Sequence, residues 1–580
     1  MAILGVDVGG TFTDAVLLDG GEIRTAKVPT ARRQEESVLA AAAAVGAGEL
    51  ERFTHGTTIA TNALLERRGA PTALVATEGF EHVLHLRRQD RAHLYRLCAA
   101  HPEPLVPLER CVGVRGRTGP EGELEPLDLS TLPELADAEA IAVCLLFSFR
   151  DPSHERAVAA ELRRRHPDAH VVVSHESAPE FREYERASTT AADAYLGPLL
   201  GRYLRGLAGR CAGAGLREPL VMLSSGGVAP VEEVAAHAAR ALLSGPAAGV
   251  VGAARAAAAA GIENALAFDM GGTSTDVCAI VGGEAERSGE RLVAGLPIRL
   301  PTLDVHTVGA GGGSVVWRDA GGALRVGPES AGADPGPACY GRGGERATVT
   351  DANLLLGRLP EELPGGLRLD AAAAERALAA VGAEPEDVVD VVNAEMLAAL
   401  RVVSVERGLD PRDFALVAFG GAGPLHACAL ADELELDTVL VPEQAGVLSA
   451  LGLAVCDERR DTVRSVVRPL AEAGELPGEG AADLRYAGQS FELTVPLGGD
   501  VAERFHRAHE ARYGYADRAR PLELVALRTA AVSAAPVRLE PRPSARPEAT
   551  GVTHLDGATA WLPSGWTGRW RAGSLVVTRG

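Results

Sequence analysis

An eight-residue pattern, Asp-x-Gly-Gly-Thr-x-Thr-Asp, occurs twice in this 580-residue chain, at 7–14 and at 269–276. Each copy is flanked by short apolar runs, which is typical of two strands joined by a tight glycine turn. One copy alone would be weak evidence, because glycine turns after strands are common. Two copies 262 residues apart predict two related α/β halves that face each other across a cleft, with one hairpin on each side.

The residue types of this pattern suit phosphate binding. Glycine has no Cβ, so backbone N–H groups can approach a phosphate closely, and successive N–H groups in a turn form an anion-binding nest. The first aspartate of each copy offers hard oxygen ligands to Mg²⁺ or its waters, so we expect Asp7 and Asp269 to bind Mg²⁺ and to act in catalysis. We expect phosphate contacts from the other motif residues: Gly9, Gly10, Thr11, Thr13, Asp14, Gly271, Gly272, Thr273, Thr275 and Asp276.

Composition narrows the function classes. The formal net charge is −21 and no dense basic run occurs, which argues against nucleic-acid binding. Lys27 is the only lysine, which excludes a Walker P-loop and argues against Schiff-base chemistry; codon bias toward arginine explains the lack of lysine equally well. No signal peptide and no uninterrupted apolar span is recognisable, so we expect a cytoplasmic protein without membrane contact. The eight scattered cysteines indicate neither disulfides nor a zinc cluster.

Strand-like and helix-like segments alternate along most of the chain, which is typical of α/β layers. The length favours several domains. We expect residues 1–180 to form an N-terminal domain with the first hairpin, residues 181–460 a second domain with the second hairpin, and residues 461–580 a β-rich C-terminal domain.

Three further segments follow the order known from one ATPase superfamily. They are SGPAAGVVGAA at 244–254, AFGGAGPLHA at 418–427 and AGVLSALGLA at 445–454. With the two hairpins, they resemble the two connecting helices and the adenosine loop of the actin, Hsp70 and sugar-kinase superfamily. The resemblance implies an actin-like (ribonuclease H-like) ATPase, with two duplicated α/β domains around a nucleotide cleft. It implies ATP and Mg²⁺ as cofactors and assigns adenosine contacts to Gly420, Gly421 and Gly423.

Longer motifs narrow the resemblance to one family. They include THGTTIATNALLERRGA at 54–70, SHESAPEFREYERASTT at 174–190, DVHTVGAGGGS at 304–314 and SAGADPGPACYG at 330–341. These segments resemble the hydantoinase A/5-oxoprolinase family, which also contains the ATP-binding subunits of acetone and acetophenone carboxylases. The resemblance implies ATP-dependent opening of a cyclic amide by phosphorylation of its carbonyl oxygen. It also implies a separate hydantoinase B-like subunit, and hence a hetero-oligomer. The C-terminal part is shorter than is usual in this family.

Two other functions remain open at this stage. The chain is alternatively the ATP-dependent subunit of a ketone carboxylase, in which phosphorylation activates bicarbonate and the enol of the ketone. A third interpretation is a chaperone-like or polymerising nucleotide switch on the same scaffold, which small lactams would not stimulate.

The substrate side is predicted from histidine-containing loops. His55, in His-Gly-Thr-Thr, is a candidate to orient a carbonyl or contact a phosphoryl oxygen, the alternative being a solvated residue at a helix start. Asp304 and His306, two apart as on one face of a strand, are candidates for metal binding or acid–base catalysis, the alternative being ordinary hydrogen bonds at a strand end. The charged run at 180–186 suggests a solvated helix face, or arginines that meet a substrate carboxylate.

Overall fold

The computed structural model describes residues 2–135, 137–363, 367–540 and 546–580. Up to residue 260 the elements are β1 (Ala2–Val8), β2 (Phe12–Asp19), β3 (Glu22–Pro29), α1 (Gln34–Ala44), β4 (Arg52–Thr57), α2 (Ile59–Leu65), β5 (Thr72–Thr77), α3 (Val83–Leu86), β6 (Cys111–Gly119), β7 (Gly122–Asp128), β8 (Ala140–Cys144), α4 (Ser153–Arg165), β9 (His170–Val173), α5 (Ser174–Ser177), α6 (Glu183–Gly213), β10 (Leu220–Met222), β11 (Val228–Pro230), α7 (Val231–Ala236) and α8 (Ser244–Ala259).

The middle of the chain continues the alternation of strands and helices. Its elements are β12 (Ala265–Met270), β13 (Thr275–Val281), β14 (Glu284–Ala285), β15 (Arg287–Ser288), β16 (Arg291–Val293), β17 (Leu296–Ile298), β18 (Thr302–Leu303), β19 (His306–Val308), β20 (Ser314–Arg318), β21 (Leu324–Ser330), α9 (Val349–Leu355), β22 (Glu362–Leu363), β23 (Leu367–Arg368), α10 (Ala371–Val381), α11 (Pro385–Val403), β24 (Ala415–Phe419), α12 (Gly423–Glu433), β25 (Thr438–Pro442) and α13 (Leu448–Val455).

The C-terminal part is rich in strands. It contains β26 (Glu458–Pro469), β27 (Ala481–Tyr486), β28 (Leu493–Pro496), α14 (Val501–Tyr513), β29 (Leu522–Ser533), β30 (Gly551–Leu555), β31 (Ala558–Leu562), β32 (Trp566–Arg571) and β33 (Ser574–Arg579).

Two large sheets share one strand arrangement. The first sheet has the order β11-β10-β4-β1-β2-β3, and the second has β14-β13-β12-β24-β25-β33-β32. In each, the two strands of the repeated hairpin are antiparallel, and the first of them continues into two parallel neighbours, β4 and β10 or β24 and β25. The register is also the same, because Asp7 lies opposite Asp14 and Asp269 opposite Asp276. The repeated octet therefore marks a repeated sheet topology.

The sheets cross the domain boundaries expected from the sequence. Strands β10 and β11, at 220–230, complete the first sheet, so residues well beyond 180 belong to the first half. Residues 72–173 also contain a separate five-stranded sheet, β7-β6-β5-β8-β9. At the other end, β33 pairs with β25 of the second sheet. The described residues of 461–580 are therefore divided: β26-β29-β27-β28 form a sheet of their own and β30-β31 another, whereas β32 and β33 belong to the second large sheet.

Helices α8 and α13 pack closely against each other between the two large sheets. Small residues permit this approach: a Cβ added to Gly452 would collide with the carbonyl oxygen of Ala248, and one added to Gly252 would lie 2.6 Å from that of Leu448. Because this contact joins two backbones, larger side chains would push the helices apart. Throughout the described ranges, no helix is long and apolar enough to cross a membrane.

Candidate nucleotide site

The two hairpin turns have the same backbone geometry. The N–H of Gly9 donates to the carbonyl oxygen of Phe12 at 3.0 Å, and that of Gly271 donates to the carbonyl oxygen of Ser274 at 3.1 Å. The second glycine of each pair lies exposed at the tip. The turns thus present backbone near solvent, as a phosphate-binding nest requires.

Helix α8 brings the first aspartates of the two hairpins together. A Cβ added to Gly245 would lie 3.7 Å from Oδ1 of Asp7, and one added to Gly249 would lie 3.3 Å from Oδ2 of Asp269. Residues four apart lie on one face of a helix, about one turn apart. Asp7 and Asp269 therefore approach the same face of α8 from opposite halves of the molecule.

Both carboxyl groups are held where ionisation is unfavourable. Burial, followed by repulsion from Asp14, raises the pKa of Asp7 to about 7. Burial, followed by repulsion from Asp276 and Asp7, raises the pKa of Asp269 to about 8. Such groups favour a bound cation, because a positive charge relieves the cost of the buried carboxylates.

The two carboxyl groups of Asp7 and Asp269 fit Mg²⁺ better than a metal that takes all of its ligands from protein side chains. Oδ1 of Asp7 is buried without a hydrogen-bond partner, so it has an unused lone pair facing the glycines around it. Among the described residues, no group of three or more His, Cys, Asp or Glu side chains that could hold a metal occurs. Mg²⁺ commonly takes one or two carboxylates and completes its shell with waters and substrate phosphates. Asp7 and Asp269 are the residues that would hold it.

A glycine-rich loop supports the second hairpin through backbone contacts. The N–H groups of Gly312 and Gly313 donate to the carbonyl oxygens of Gly271 and Gly272 at 3.0 and 2.7 Å. In addition, the hydroxyl of Thr275 donates to the carbonyl oxygen of Ala310 at 2.6 Å. The motif threonine thus holds the hairpin to this loop, rather than being free for a phosphate.

The first hairpin is held by the end of its neighbouring strand. The hydroxyl of Thr30 lies 3.0 Å from that of Thr13 and donates to the carbonyl oxygen of Gly9. Lys27 donates to both carboxylate oxygens of Asp14, at 2.6 and 2.8 Å. Lys27 was not among the residues predicted for the site, although it is the only lysine of the chain.

The segment expected to contact adenosine lies beside the second hairpin. Gly420 follows β24 with φ of +79°, and a Cβ there would collide with Oδ1 of Asp269, so both the conformation and the space require glycine. Its N–H donates to the carbonyl oxygen of Ala445, just before α13. Gly421 has open space around it, and Gly423 begins α12. The structure thus gathers this loop, α13 and Asp269 in one place.

His55 is not placed for direct contact with a substrate or phosphate. It lies fully buried within β4. Its Nδ1 donates to the carbonyl oxygen of Val6 at 3.2 Å, and its Nε2 accepts from the hydroxyl of Tyr203 at 3.0 Å. Burial lowers the pKa of His55 to about 4, so the ring is neutral. The solvated alternative is excluded too, because the ring links β1 to α6 inside the core.

Asp304 and His306 do not share a strand, contrary to the spacing argument. Asp304 lies in the connection between β18 and β19, with its carboxylate paired to Arg407. His306 begins β19, which pairs with β13 of the second hairpin, and burial lowers its pKa. The next residue, Thr307, donates to Asp276 at 2.5 Å. This segment therefore adjoins the hairpin, and its catalytic role stays a prediction.

The charged run at 180–186 is not a solvated face. Glu180 and Arg186 are almost fully buried. Glu180 accepts from Arg299 at 2.8 Å and from Arg528 at 2.9 Å, whereas Arg186 donates to the carbonyl oxygens of Glu180 and Leu145. Arg182 pairs with Glu492 at 2.6 Å. The run thus joins the first half to the sheet that contains β27 and β29.

Comparison with known proteins agrees with this geometry. The model of the hydantoinase/oxoprolinase family matches residues 186–462, and that of the hydantoinase/oxoprolinase N-terminal region matches residues 3–166. Caprolactamase subunit alpha of Pseudomonas jessenii is 35% identical over 97% of this chain and 90% of its own length. The acetophenone carboxylase gamma subunit of Aromatoleum aromaticum is 34% identical over 78% of this chain and 67% of its own.

A solved structure matches over the whole chain. The crystal structure of ATP-dependent caprolactamase from Pseudomonas jessenii superposes with a TM-score of 0.86 at 31% identity and covers 100% of both chains. The fold and site thus define a two-halved α/β protein with paired glycine-rich hairpins. The chain belongs to the hydantoinase/oxoprolinase family, which confirms the resemblance drawn from its motifs.

Proposed function

We propose that this chain is an actin-like ATPase subunit that uses ATP and Mg²⁺ to open a cyclic amide. The observation that carries the proposal is the approach of Asp7 and Asp269, from the two hairpins, to one face of α8. A nucleotide between the hairpins would meet backbone N–H groups from both sides. The repeated strand order of the two sheets, with α8 and α13 between them, supports the ribonuclease H-like assignment.

The chemistry explains why ATP is needed. The oxygen of an unstrained amide is a weak nucleophile, and the amide carbon is a poor electrophile. Attack of the carbonyl oxygen on the γ-phosphorus forms an O–P bond and breaks the bond to the bridging oxygen, which releases ADP. Water then adds to the carbon, the C–N bond breaks as the nitrogen takes a proton, and a second water hydrolyses the acyl phosphate.

The protein contributes positioning and charge neutralisation to the first step. The hairpin backbones hold the phosphates, and Gly420 lets the backbone next to Asp269 lie close to the nucleotide. Asp7 and Asp269 would hold Mg²⁺, which would supply electrostatic stabilisation of the transferred phosphoryl group. His306 lies beside the second hairpin and is our candidate for coupling the nucleotide to the substrate.

A lactam-type substrate is favoured by the relatives. Both the similarity to caprolactamase subunit alpha and the structural match to ATP-dependent caprolactamase extend over essentially the whole chain. The second candidate is the ATP-dependent subunit of a ketone carboxylase, which the 34% identity to the acetophenone carboxylase gamma subunit favours. Both relatives are named as subunits, which supports a hydantoinase B-like partner for this chain and a hetero-oligomer as the working unit.

The test is ATP hydrolysis by the purified chain, alone and with a B-type subunit, across lactams of several ring sizes, hydantoins, 5-oxoproline and simple ketones. We expect a lactam or related ring to stimulate ADP release, with one ring opened per ATP. Labelled bicarbonate that appears in a ketone-derived product would establish the carboxylase instead. Stimulation by protein clients alone would reject both and favour a nucleotide switch. Asp269→Asn, assayed in parallel, should remove all stimulated turnover.

A further inference from the structure

Lysine occurs once in this chain, on the strand that pairs with the first hairpin. The other 56 residues of the 57 Lys and Arg are arginine. Lys27 lies on β3 directly opposite Asp14, the last residue of the first octet. A bias toward arginine explains the composition as a whole, but not why the single lysine adjoins one of the two octets.

The contacts of Lys27 leave one donor unused. Its Nζ donates to both carboxylate oxygens of Asp14, at 2.6 and 2.8 Å, and lies 5.4 Å from the centre of the Phe12 ring. An ammonium group has three N–H donors, so Asp14 fixes the group and occupies two of them. The side chain is 29% exposed, and the third donor is available to a ligand.

The position of Lys27 faces the cleft rather than the outer surface of the first half. Thr30, three residues further on, holds the turn of the hairpin through Gly9 and Thr13. A Cβ added to Gly557, whose turn pairs with residues 443–446 of the second half, would lie 3.5 Å from Cε of Lys27.

The local charge makes a cation necessary here. Asp7 lies opposite Asp14 on the first hairpin and Asp269 opposite Asp276 on the second, so a polyanionic nucleotide held between the hairpins would meet acidic residues on both sides. A lysine can present its compact charge to Asp14 and to one phosphate oxygen at the same time, whereas arginine would extend a planar fork that pairs bidentately with Asp14. The position therefore suits lysine specifically, in a chain that uses arginine everywhere else.

We propose that Lys27, fixed by Asp14, donates its free N–H to the terminal phosphate of bound ATP. This proposal rests on the function proposed above. Lys27 would thus add a side-chain contact to phosphate in a site whose hairpins otherwise offer backbone N–H groups. It would contact the γ-phosphoryl group that is transferred, rather than the phosphates that remain in ADP.

Because Lys27 is the only lysine, its side-chain amine can be followed without ambiguity. The full chain is treated with an acylating reagent, and the peptide that carries Lys27 is quantified by mass spectrometry, separately from the N-terminal amine. With Mg²⁺ and a non-hydrolysable ATP analogue we expect acylation of Lys27 to slow at least tenfold, and with Mg²⁺ and ADP less than threefold. Equal acylation rates with the analogue and without nucleotide would overturn the proposal.

Binding measurements separate a phosphate contact from a merely structural ion pair. Loss of one charge-assisted hydrogen bond corresponds to a Kd raised about 10- to 100-fold. We expect Lys27→Met to raise the Kd of the ATP analogue by this factor and the Kd of ADP much less. An equal rise in the Kd of the analogue and of ADP would show that Lys27 only supports Asp14. Lys27→Arg, which keeps the ion pair with Asp14, should also bind the ATP analogue more weakly than the wild type. It replaces Lys27→Met in the binding measurement if the methionine variant does not fold. Arg33→Gln, which removes an exposed ion pair with Glu36, is the matched control.

The two proposals fail in different ways. If calorimetry detects no binding of the ATP analogue to the wild-type chain, the proposed function fails and this inference fails with it. If the analogue binds with Mg²⁺ but Lys27 is acylated at its unprotected rate, the inference alone is overturned.

Discussion

Replacing Asp7 by asparagine should stabilise the nucleotide-free protein, and the gain should grow as the pH rises. Burial raises the pKa of Asp7 from 3.8 to about 7. Between these pH values the Asp7 carboxyl has lost its proton in the unfolded chain but keeps it in the folded chain, so the free energy of unfolding of the wild type falls as the pH increases. A shift of one pKa unit corresponds to about 1.4 kcal/mol, so above pH 7 the buried Asp7 carboxylate lowers the free energy of unfolding by roughly 4 kcal/mol. Asp7→Asn removes this cost.

Urea unfolding of both proteins at pH 5 and pH 8.5, with chelator and without nucleotide, measures this difference. We expect the advantage of Asp7→Asn to increase by about 2–3 kcal/mol between the two pH values. Asp410→Asn is the control, because Arg412 holds the pKa of that exposed carboxyl at about 2 and its charge is the same at both pH values. An advantage of Asp7→Asn that does not change with pH would refute the argument that a buried, ionised carboxylate is the cost.

Two other substitutions test the crossing of the helices and the substrate side. Gly452→Ala places a methyl against the carbonyl oxygen of Ala248 and should cost about 1–3 kcal/mol in urea unfolding. Gly209→Ala, at an open position of α6, should be neutral or slightly stabilising, and an equal loss at both positions would contradict the role of the close contact. His306→Ala should leave the Kd for ATP within about twofold and lower substrate-stimulated turnover about tenfold or more, as expected for loss of one acid–base or orienting group; unchanged stimulation would remove His306 from the substrate side.

The hairpins were predictable because their signal is local. A glycine turn between apolar runs fixes β1–β2 and β12–β13 within about fifteen residues each, and the octet pattern that both copies share implies the same register. The crossing of α8 and α13 was also within reach, since small residues at 244–254 and 445–454 permit a close approach. In the hairpins the sequence neighbours are also the structural neighbours, whereas the helix crossing is indicated only by the small size of the residues.

Long-range pairings carried no comparable signal. Strand β33 joins β25 across more than a hundred residues, and nothing in its composition distinguishes it from a strand of a separate domain. Likewise, His55 occurs in a polar motif, yet Tyr203 on α6 supplies its buried partner. The spacing of Asp304 and His306 suggested one strand, but β19 begins only at His306, and Asp304 lies before it with its carboxylate paired to Arg407. Such partners become apparent only once the chain is folded.

The most direct test of the central claim is the number of nucleotides bound per chain and its dependence on each hairpin. Titration calorimetry with Mg²⁺ and a non-hydrolysable ATP analogue should give one site per chain. Asp7→Asn and Asp269→Asn should each abolish the Mg²⁺-dependent part of the affinity, because both carboxylates serve the same site. Two sites per chain, or full Mg²⁺-dependent affinity in either variant, would contradict a single nucleotide held between the two halves.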